Sequence, residues 1–207
     1  MEPEDKKEQD TQSSQSSFGA VGSFIWDLVK ILVIALVIIV PFRMFIAEPF
    51  VVSGHSMLPN FFDKDYLIID RISYRTHEPQ RGDAIVLKYP KDPSQYFIKR
   101  VIGLPGDKVC FFQNHVYIYN GQYPQGLRLS EPYLSSNMET LGQPSCSALS
   151  SIQTLGSSEY YVLGDNRTAS SDSRVWGILP QDDIVGRVWL RVFPLNHFGL
   201  IKSPAYQ

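Results

Sequence analysis

The 207-residue chain is poor in the residues that build metal centres and disulfide scaffolds, with two cysteines and four histidines. Cys110 and Cys146 are too few for a disulfide framework or a four-cysteine zinc site. His55, His77, His115 and His197 are scattered without zinc-ligand spacing, and Asp165 and Asp172 lack the alternation of a calcium loop. Gly-rich phosphate loops and internal repeats are missing too, so neither a metal nor a cofactor is expected. Charge of one sign is also lacking: 19 basic against 21 acidic residues leave a net charge of −2. A nucleic-acid partner would demand a clustered basic excess, and there is none. Hydrophobic residues make up 43% of the chain and aromatics 13%, which excludes disorder throughout. The length fits one ordinary domain plus an appendage.

A mean hydropathy of −0.12 hides an uneven distribution. Residues 1–17 contain no Leu, Ile, Val, Phe, Tyr or Trp and are rich in Glu, Gln and Ser. Such a segment buries too little apolar surface to offset chain entropy, and a disordered tail is expected. The composition then reverses. Every residue from Ile31 to Val40 is apolar, and Leu28–Ala47 is interrupted only by Lys30, Pro41 and Arg43. As a helix that window is about 30 Å long, the thickness of a bilayer core. An anchor is expected over 18–47, with Lys30 and Arg43 snorkelling to the headgroups. The competing readings are a buried amphipathic helix and a cleaved signal peptide. The long acidic leader and the lack of a small-x-small cleavage site speak against the latter. Flanking charge scarcely orients the span, because Lys6, Lys7 and Lys30 face Arg43 and Lys64.

From residue 48 to about 199 the texture is that of a β-protein, with 200–207 as a C-terminal tail. Apolar runs recur at Tyr66–Ile69, Ala84–Leu87, Tyr96–Ile102, Val109–Phe112, Val116–Tyr119, Tyr160–Leu163 and Ile184–Val192. Arg81-Gly82-Asp83 reads as a turn entering a strand, and Asn120-Gly121 as a hairpin turn. Residues 124–158, rich in Ser, Gly and Pro, read as a long surface excursion between strands. The body is expected to be mostly antiparallel β, with no long helix after Pro49.

Three segments combine chemistry with constraint. In Glu48–Pro59 an apolar extended stretch meets Gly54 and presents Ser56, then closes at Pro59. Alone, this is also what an ordinary loop looks like. In Tyr96–Gly103, strand alternation puts Lys99 on a face with Phe97 and Val101. Poor solvation there disfavours the ammonium, whose ordinary pKa is about 10.4, and favours a neutral amine able to act as a general base. An edge lysine reaching water is the plain alternative. In Gly164–Arg174, two Asp and two Arg suit salt bridges and Asx turns that hold one loop shape. His55 is a poor base for Ser56, since neighbours in an extended chain point apart.

Taken together, the three segments resemble the bacterial type I signal peptidases, membrane-anchored serine proteases with a Ser–Lys dyad. Ser56-Met57-Leu58-Pro59 matches the nucleophile box and Lys99 through Asp107 the lysine box. Gly164 through Arg167 and Ser171 through Arg174 match the third. The endoplasmic-reticulum branch carries histidine at the position of Lys99, so the bacterial branch is favoured. The resemblance implies Ser56 as nucleophile, Lys99 as base, Ser170 hydrogen-bonding the lysine amine, and Asp172–Arg174 as a structural ion pair. It implies an oxyanion site at the Ser56 N–H; the side-chain donor of some members falls here on Gly54, leaving the second donor open. Asn60-Phe61 departs from the usual Thr-Leu, which points to altered packing. Phe50, Val52, Met57, Phe97 and Ile98 fall on pocket-lining positions. The implied substrates are exported preproteins cleaved after small residues (Ala-x-Ala type), bound as an added strand. The implied setting is the bacterial cytoplasmic membrane, with the bilayer as partner, the secretion translocon as a neighbour and the body outside. There Cys110 and Cys146 are free to pair or not. A self-cleaving repressor-type protease shares fold and dyad but would carry a DNA-binding segment in place of an anchor. An inactive substrate-binding module would have no reason to keep Ser56, Lys99 and Ser170.

Overall fold

The computed structural model describes residues 12–41, 47–135 and 138–204. The chain forms two compact units, 1–44 and 45–207. The first contains helix α1 (Gln12–Pro41). Within it Val21–Ile39 has a mean hydropathy of 2.3 and none of it is buried, so it is long and apolar enough to cross a membrane. A buried core helix would have its apolar face covered. Asp27 and Lys30 sit one turn apart and pair at 3.1 Å, which lets the apolar stretch begin before Leu28. The described helix runs to Pro41. Ala47, taken as the last residue of the anchor, instead opens the first strand. Gln12–Ser17, the end of the segment expected to be unstructured, is helical. Extending an existing helix adds one bond per residue without a new nucleus. The rest of that tail lies outside the described residues.

The second unit runs β1 (Ala47–Val51), β2 (Tyr66–Asp70), α2 (Ser73–Thr76), β3 (Ala84–Tyr89), β4 (Asp92–Gly103), β5 (Lys108–Phe112), β6 (His115–Tyr119), β7 (Leu127–Arg128), β8 (Glu159–Leu163), α3 (Ser173–Trp176), β9 (Leu179–Pro180), β10 (Ile184–Phe193) and β11 (Gly199–Leu200). All seven expected apolar runs are strands. One antiparallel sheet has the order β1-β2-β10-β3-β4-β8-β9, with β11 on β10, and a second has β5-β6-β7. Strand β3 is buried on both faces. Ala84 and Val86 pack with Val52, Met57, Phe61 and Leu67, while Ile85 and Leu87 pack with Val101, Tyr160 and Trp176. This is why its sequence is a continuous apolar run.

The tight hairpin is not at Asn120-Gly121. It lies between β5 and β6, where Gln113 and Asn114 have φ of 46° and 62° and Phe112 faces His115. Positive φ at both central residues matches the right-handed strand twist. Asn120 instead accepts from the N–H groups of Gln122 and Tyr123 and donates to Asp107 at 2.7 Å, closing a wider loop to β7. The excursion at 124–158 is also more integrated than its composition implies. Leu129 and Leu155 enter the core beside Ile102, Val109 and Ile118. Cys110 and Cys146 are disulfide-bonded, with Cα atoms 5.0 Å apart, and the Phe111 N–H donates to Pro144 O. The segment at 200–207 is docked at least to Ser203: the Ile201 N–H donates to Trp189 O and the Ser203 hydroxyl to Asp83.

The bridge spans 36 residues, a loop length for which a cross-link contributes about 4 kcal/mol through the unfolded state. A non-reducing peptide map should contain a Cys110–Cys146 cross-linked pair. Reduction should lower the thermal midpoint of the body, and two free thiols in the untreated protein would contradict the pairing.

Candidate active site

Ser56 stands on the loop after β1. Gly54 takes a φ of +96°, a region open to glycine without strain, and its N–H donates to Asp63 at 2.9 Å. Beyond Ser56, Met57 and Phe61 are each only 1% exposed, so the turn is fastened into the core on its far side. Two further bonds hold the backbone at the serine: Asn166 donates from its N–H to Ser56 O and from Nδ2 to His55 O, at 3.0 and 3.1 Å. The Ser56 N–H makes no hydrogen bond to any described residue.

Lys99, on β4, is 3% exposed. Its Nζ lies 2.9 Å from Ser56 Oγ and 2.8 Å from Ile98 O, and 5.1 Å from the centre of the Phe97 ring. Burial lowers its pKa to about 8, against the opposing pull of Asp172 and Asp165. Among the described residues it forms no ion pair. A neutral amine beside a hydroxyl is the arrangement that activates a serine.

The third segment closes on itself less through ion pairs than expected. Among the described residues Asp172–Arg174 is its one internal ion pair: Arg174 Nε and Nη2 donate to the two carboxylate oxygens at 2.8 and 2.7 Å. Asp165 instead accepts from Arg100 of β4, and Arg167 reaches out to Glu131, Thr140 and Tyr133 of the excursion. Adjacent residues in a tight turn point in different directions, so each charge meets a different element. Burial works against the Asp172 carboxylate, yet the bonds from Arg174 and the Gly164 N–H hold its pKa below the usual range. Gly164 permits the close approach: a Cβ there would come within 2.2 Å of Ser170 Oγ and 2.5 Å of Ser56 O.

Ser170 packs beside Gly164 and near the Asp172 carboxylate, and among the described residues its hydroxyl makes no hydrogen bond to the Lys99 amine. The amine turns to Ser56 Oγ and Ile98 O instead. A cleft of about 120 Å³ meets Ser56 and Lys99 and is lined by Phe50, Val52, Phe97 and Ile98. Met57 does not line it, because it points into the core beside Phe61 and Leu67. Val51, Ser53, Leu67, Val86 and Tyr96 line the cleft without having been singled out. For Leu67 and Val86 the only signal was strand alternation, which does not say which strands meet. Asn60 was marked as a departure, and here it donates to both Asp165 and Tyr133 O.

Lys99 has a sign consequence for stability. Its folded pKa lies below the unfolded value, so the folded state binds fewer protons between about pH 8 and 10.5. Stability rises with pH across that window as the cost of burying the ammonium is relieved. Lys99→Met should therefore stabilise the protein below pH 8, by up to about 3 kcal/mol. The advantage should shrink above pH 8, as read from chemical denaturation at several pH values.

The signal peptidase, peptidase S26 family model matches residues 25–193. A probable signal peptidase I-1 of Synechocystis sp. is 37% identical over 188 residues, covering 87% of this chain and 88% of that protein. Signal peptidase I P of Bacillus subtilis subsp. natto is 35% identical over 176 residues, covering 84% and 91%. A solved signal peptidase I from Enterococcus faecalis is 34% identical, with a TM-score of 0.43 over 54% of this chain and 97% of that one. With a family match across most of its length and relatives this similar, the chain belongs to the signal peptidase family, peptidase S26, and is a serine-protease hydrolase.

Proposed function

We propose that this protein is a membrane-anchored endopeptidase that removes signal peptides from exported preproteins with a Ser56–Lys99 dyad. The observation that carries the reading is the 2.9 Å contact between Ser56 Oγ and a buried lysine amine that has no carboxylate partner among the described residues. Neutral Lys99 takes the hydroxyl proton as Ser56 Oγ attacks the scissile carbonyl carbon. The tetrahedral oxyanion is met by the Ser56 N–H, which is free for it. On collapse, the Lys99 ammonium returns its proton to the leaving amine, and an acyl-serine remains. Lys99 then takes a proton from water, which attacks the ester; as the bond to Ser56 Oγ breaks, the ammonium returns that proton to the serine oxygen and the second product leaves as a carboxylate.

The cleft suits short side chains. Its volume of about 120 Å³ holds only a few heavy atoms, and Phe50, Phe97 and Ile98 wall it. An extended substrate with Ala-x-Ala before the bond fits such a site, while the largest, aromatic side chains exceed it. Helix α1 supplies the anchor, with the body on the extracytoplasmic side of the bacterial cytoplasmic membrane. The Cys110–Cys146 disulfide supports that side, since such bonds persist in oxidising compartments. Confinement to the surface where preproteins emerge, beside the translocon, replaces electrostatic capture. The apolar helix disfavours the repressor-type protease, and the assembled serine–lysine pair disfavours an inactive module.

Incubation with a model preprotein should yield a new N-terminus immediately after an Ala-x-Ala sequence. Ser56→Ala and Lys99→Ala should each reduce cleavage by more than about 10³-fold. Substantial residual cleavage by either purified variant would sink the dyad. The wild-type kcat/KM should climb with pH through about 8 as Lys99 loses its proton; a flat profile below pH 9 would contradict its role as base.

A further inference from the structure

Two buried carboxylates that act on the lysine raise a difficulty for the dyad. Asp172 and Asp165 are both 0% exposed, and each attracts a proton onto Lys99. In a poorly solvated interior a bare carboxylate holds an ammonium firmly. The folded chain answers each with an arginine in a two-point clamp. Arg100 binds both oxygens of Asp165 at 2.7 and 2.5 Å, and Arg174 binds both oxygens of Asp172 at 2.8 and 2.7 Å. The second clamp is the informative one. Arg174 is 10% exposed and is steered by its Nη1, which donates to Leu141 O of the excursion at 2.9 Å. Arg100 carries further duties, to Gly82 O and the Tyr133 ring, so its charge cannot be altered alone.

We propose that Arg174 is an electrostatic screen. By occupying both oxygens of Asp172 it denies that carboxylate to the Lys99 ammonium and keeps the base available to accept the serine proton. Arg174 is thus a positioning residue acting through Asp172, beyond tying a loop together. The inference rests on the Ser56–Lys99 reading above. The charged groups around Lys99 are consistent with it. From the third segment come Asp172 with Arg174, and Asp165 with Arg100 of the lysine's own strand. Tyr161 of β8 also feels Asp172, and burial keeps its phenol neutral. Strand β3 offers only Ile85 opposite the lysine, and His55 on the nucleophile loop is exposed.

The test is a charge cycle on the full chain in detergent micelles, reading kcat/KM for a preprotein against pH. Arg174→Gln should move the acid limb up by about one pH unit, a loss of about tenfold at pH 7 that recovers at high pH. Asp172→Asn should move it down by a similar amount. The neutral double variant should return close to the wild-type limb, and Arg174→Lys should restore most of the Arg174→Gln shift. A merely structural pair would lower the rate at every pH without moving the limb. Single variants whose limbs stay in place, or shift in the same direction, would overturn the screen. If Arg174→Gln fails to fold, Asp172→Asn decides alone, since an unmoved or raised limb contradicts the proposal. Side-chain NMR titration of labelled Lys99 in the Ser56→Ala background should reproduce the shifts without catalysis. Failure of the dyad itself reads differently: Lys99→Ala would then remain active.

Discussion

Arg100 donates through Nε and Nη2 to both oxygens of Asp165, at 2.7 and 2.5 Å, and the site depends on where these two residues stand in the chain. Arg100 directly follows the lysine, and Asp165 directly precedes the asparagine that holds His55 O and Ser56 O. One buried contact therefore links the segments of Lys99 and Ser56, which lie 43 residues apart in sequence. Burying two charges is costly, and a pair of this kind does not by itself stabilise a fold. It is tolerated because its remaining hydrogen-bonding capacity is used. Gly82 O accepts from Arg100, Tyr133 stacks on the guanidinium at 4.1 Å, and Asn60 donates to Asp165. Loss of one partner would strand the other, at a cost of about 3–5 kcal/mol. The interaction contributes specificity of geometry more than stability.

The same logic extends outward. Arg167 carries the third segment to Glu131 and Thr140, and Arg174 carries it to Leu141 O, all on the excursion between β6 and β8. The disulfide between Cys110 and Cys146 fastens that excursion to β5. A segment with the composition of a loose loop thus becomes the outer wall of a charge network. Within it Asp165, Asp172 and Glu131 each face an arginine. The near-zero net charge of the chain hides this pairing. Among the described residues Lys99 is left without a carboxylate partner, which is the state the proposed role as base requires.

Much of the fold was legible because strand periodicity is local. Tyr66–Ile69, Ala84–Leu87 and Ile184–Val192 announced themselves by β-branched and aromatic residues between turn signals. The Asn120-Gly121 hairpin does join β6 to β7, but as a wider loop and not a tight turn, for a local reason as well. Asn120-Gly121 has the right residues, but Asn120 is drawn to Asp107 and to its own following N–H groups, while Gln113-Asn114 turns the chain. Ser56 and Lys99 were legible only as a pair of boxes, since each alone is ordinary. Met57 was assigned to the cleft by its position beside the nucleophile, and the turn rotates it into the core. Ser170 was expected at the lysine amine, but the amine takes Ser56 Oγ and a backbone carbonyl. The fault is common to both: a linear motif gives order along the chain and no direction for a side chain.

What the amino-acid sequence determined by itself is the set of parts. It determined an apolar helix of membrane length, an antiparallel β body, a serine after a flexible glycine, and a lysine among apolar neighbours. These follow from composition and from periods of two and 3.6 residues, which any local window contains. Only the tertiary structure decided the partners. It placed the lysine amine 2.9 Å from the serine oxygen, gave Asp165 and Asp172 their arginines and closed Cys110 on Cys146. Those pairings join residues far apart in the chain, and desolvation selects among them. A buried charge or polar group is stable only where the fold brings its complement within bonding distance.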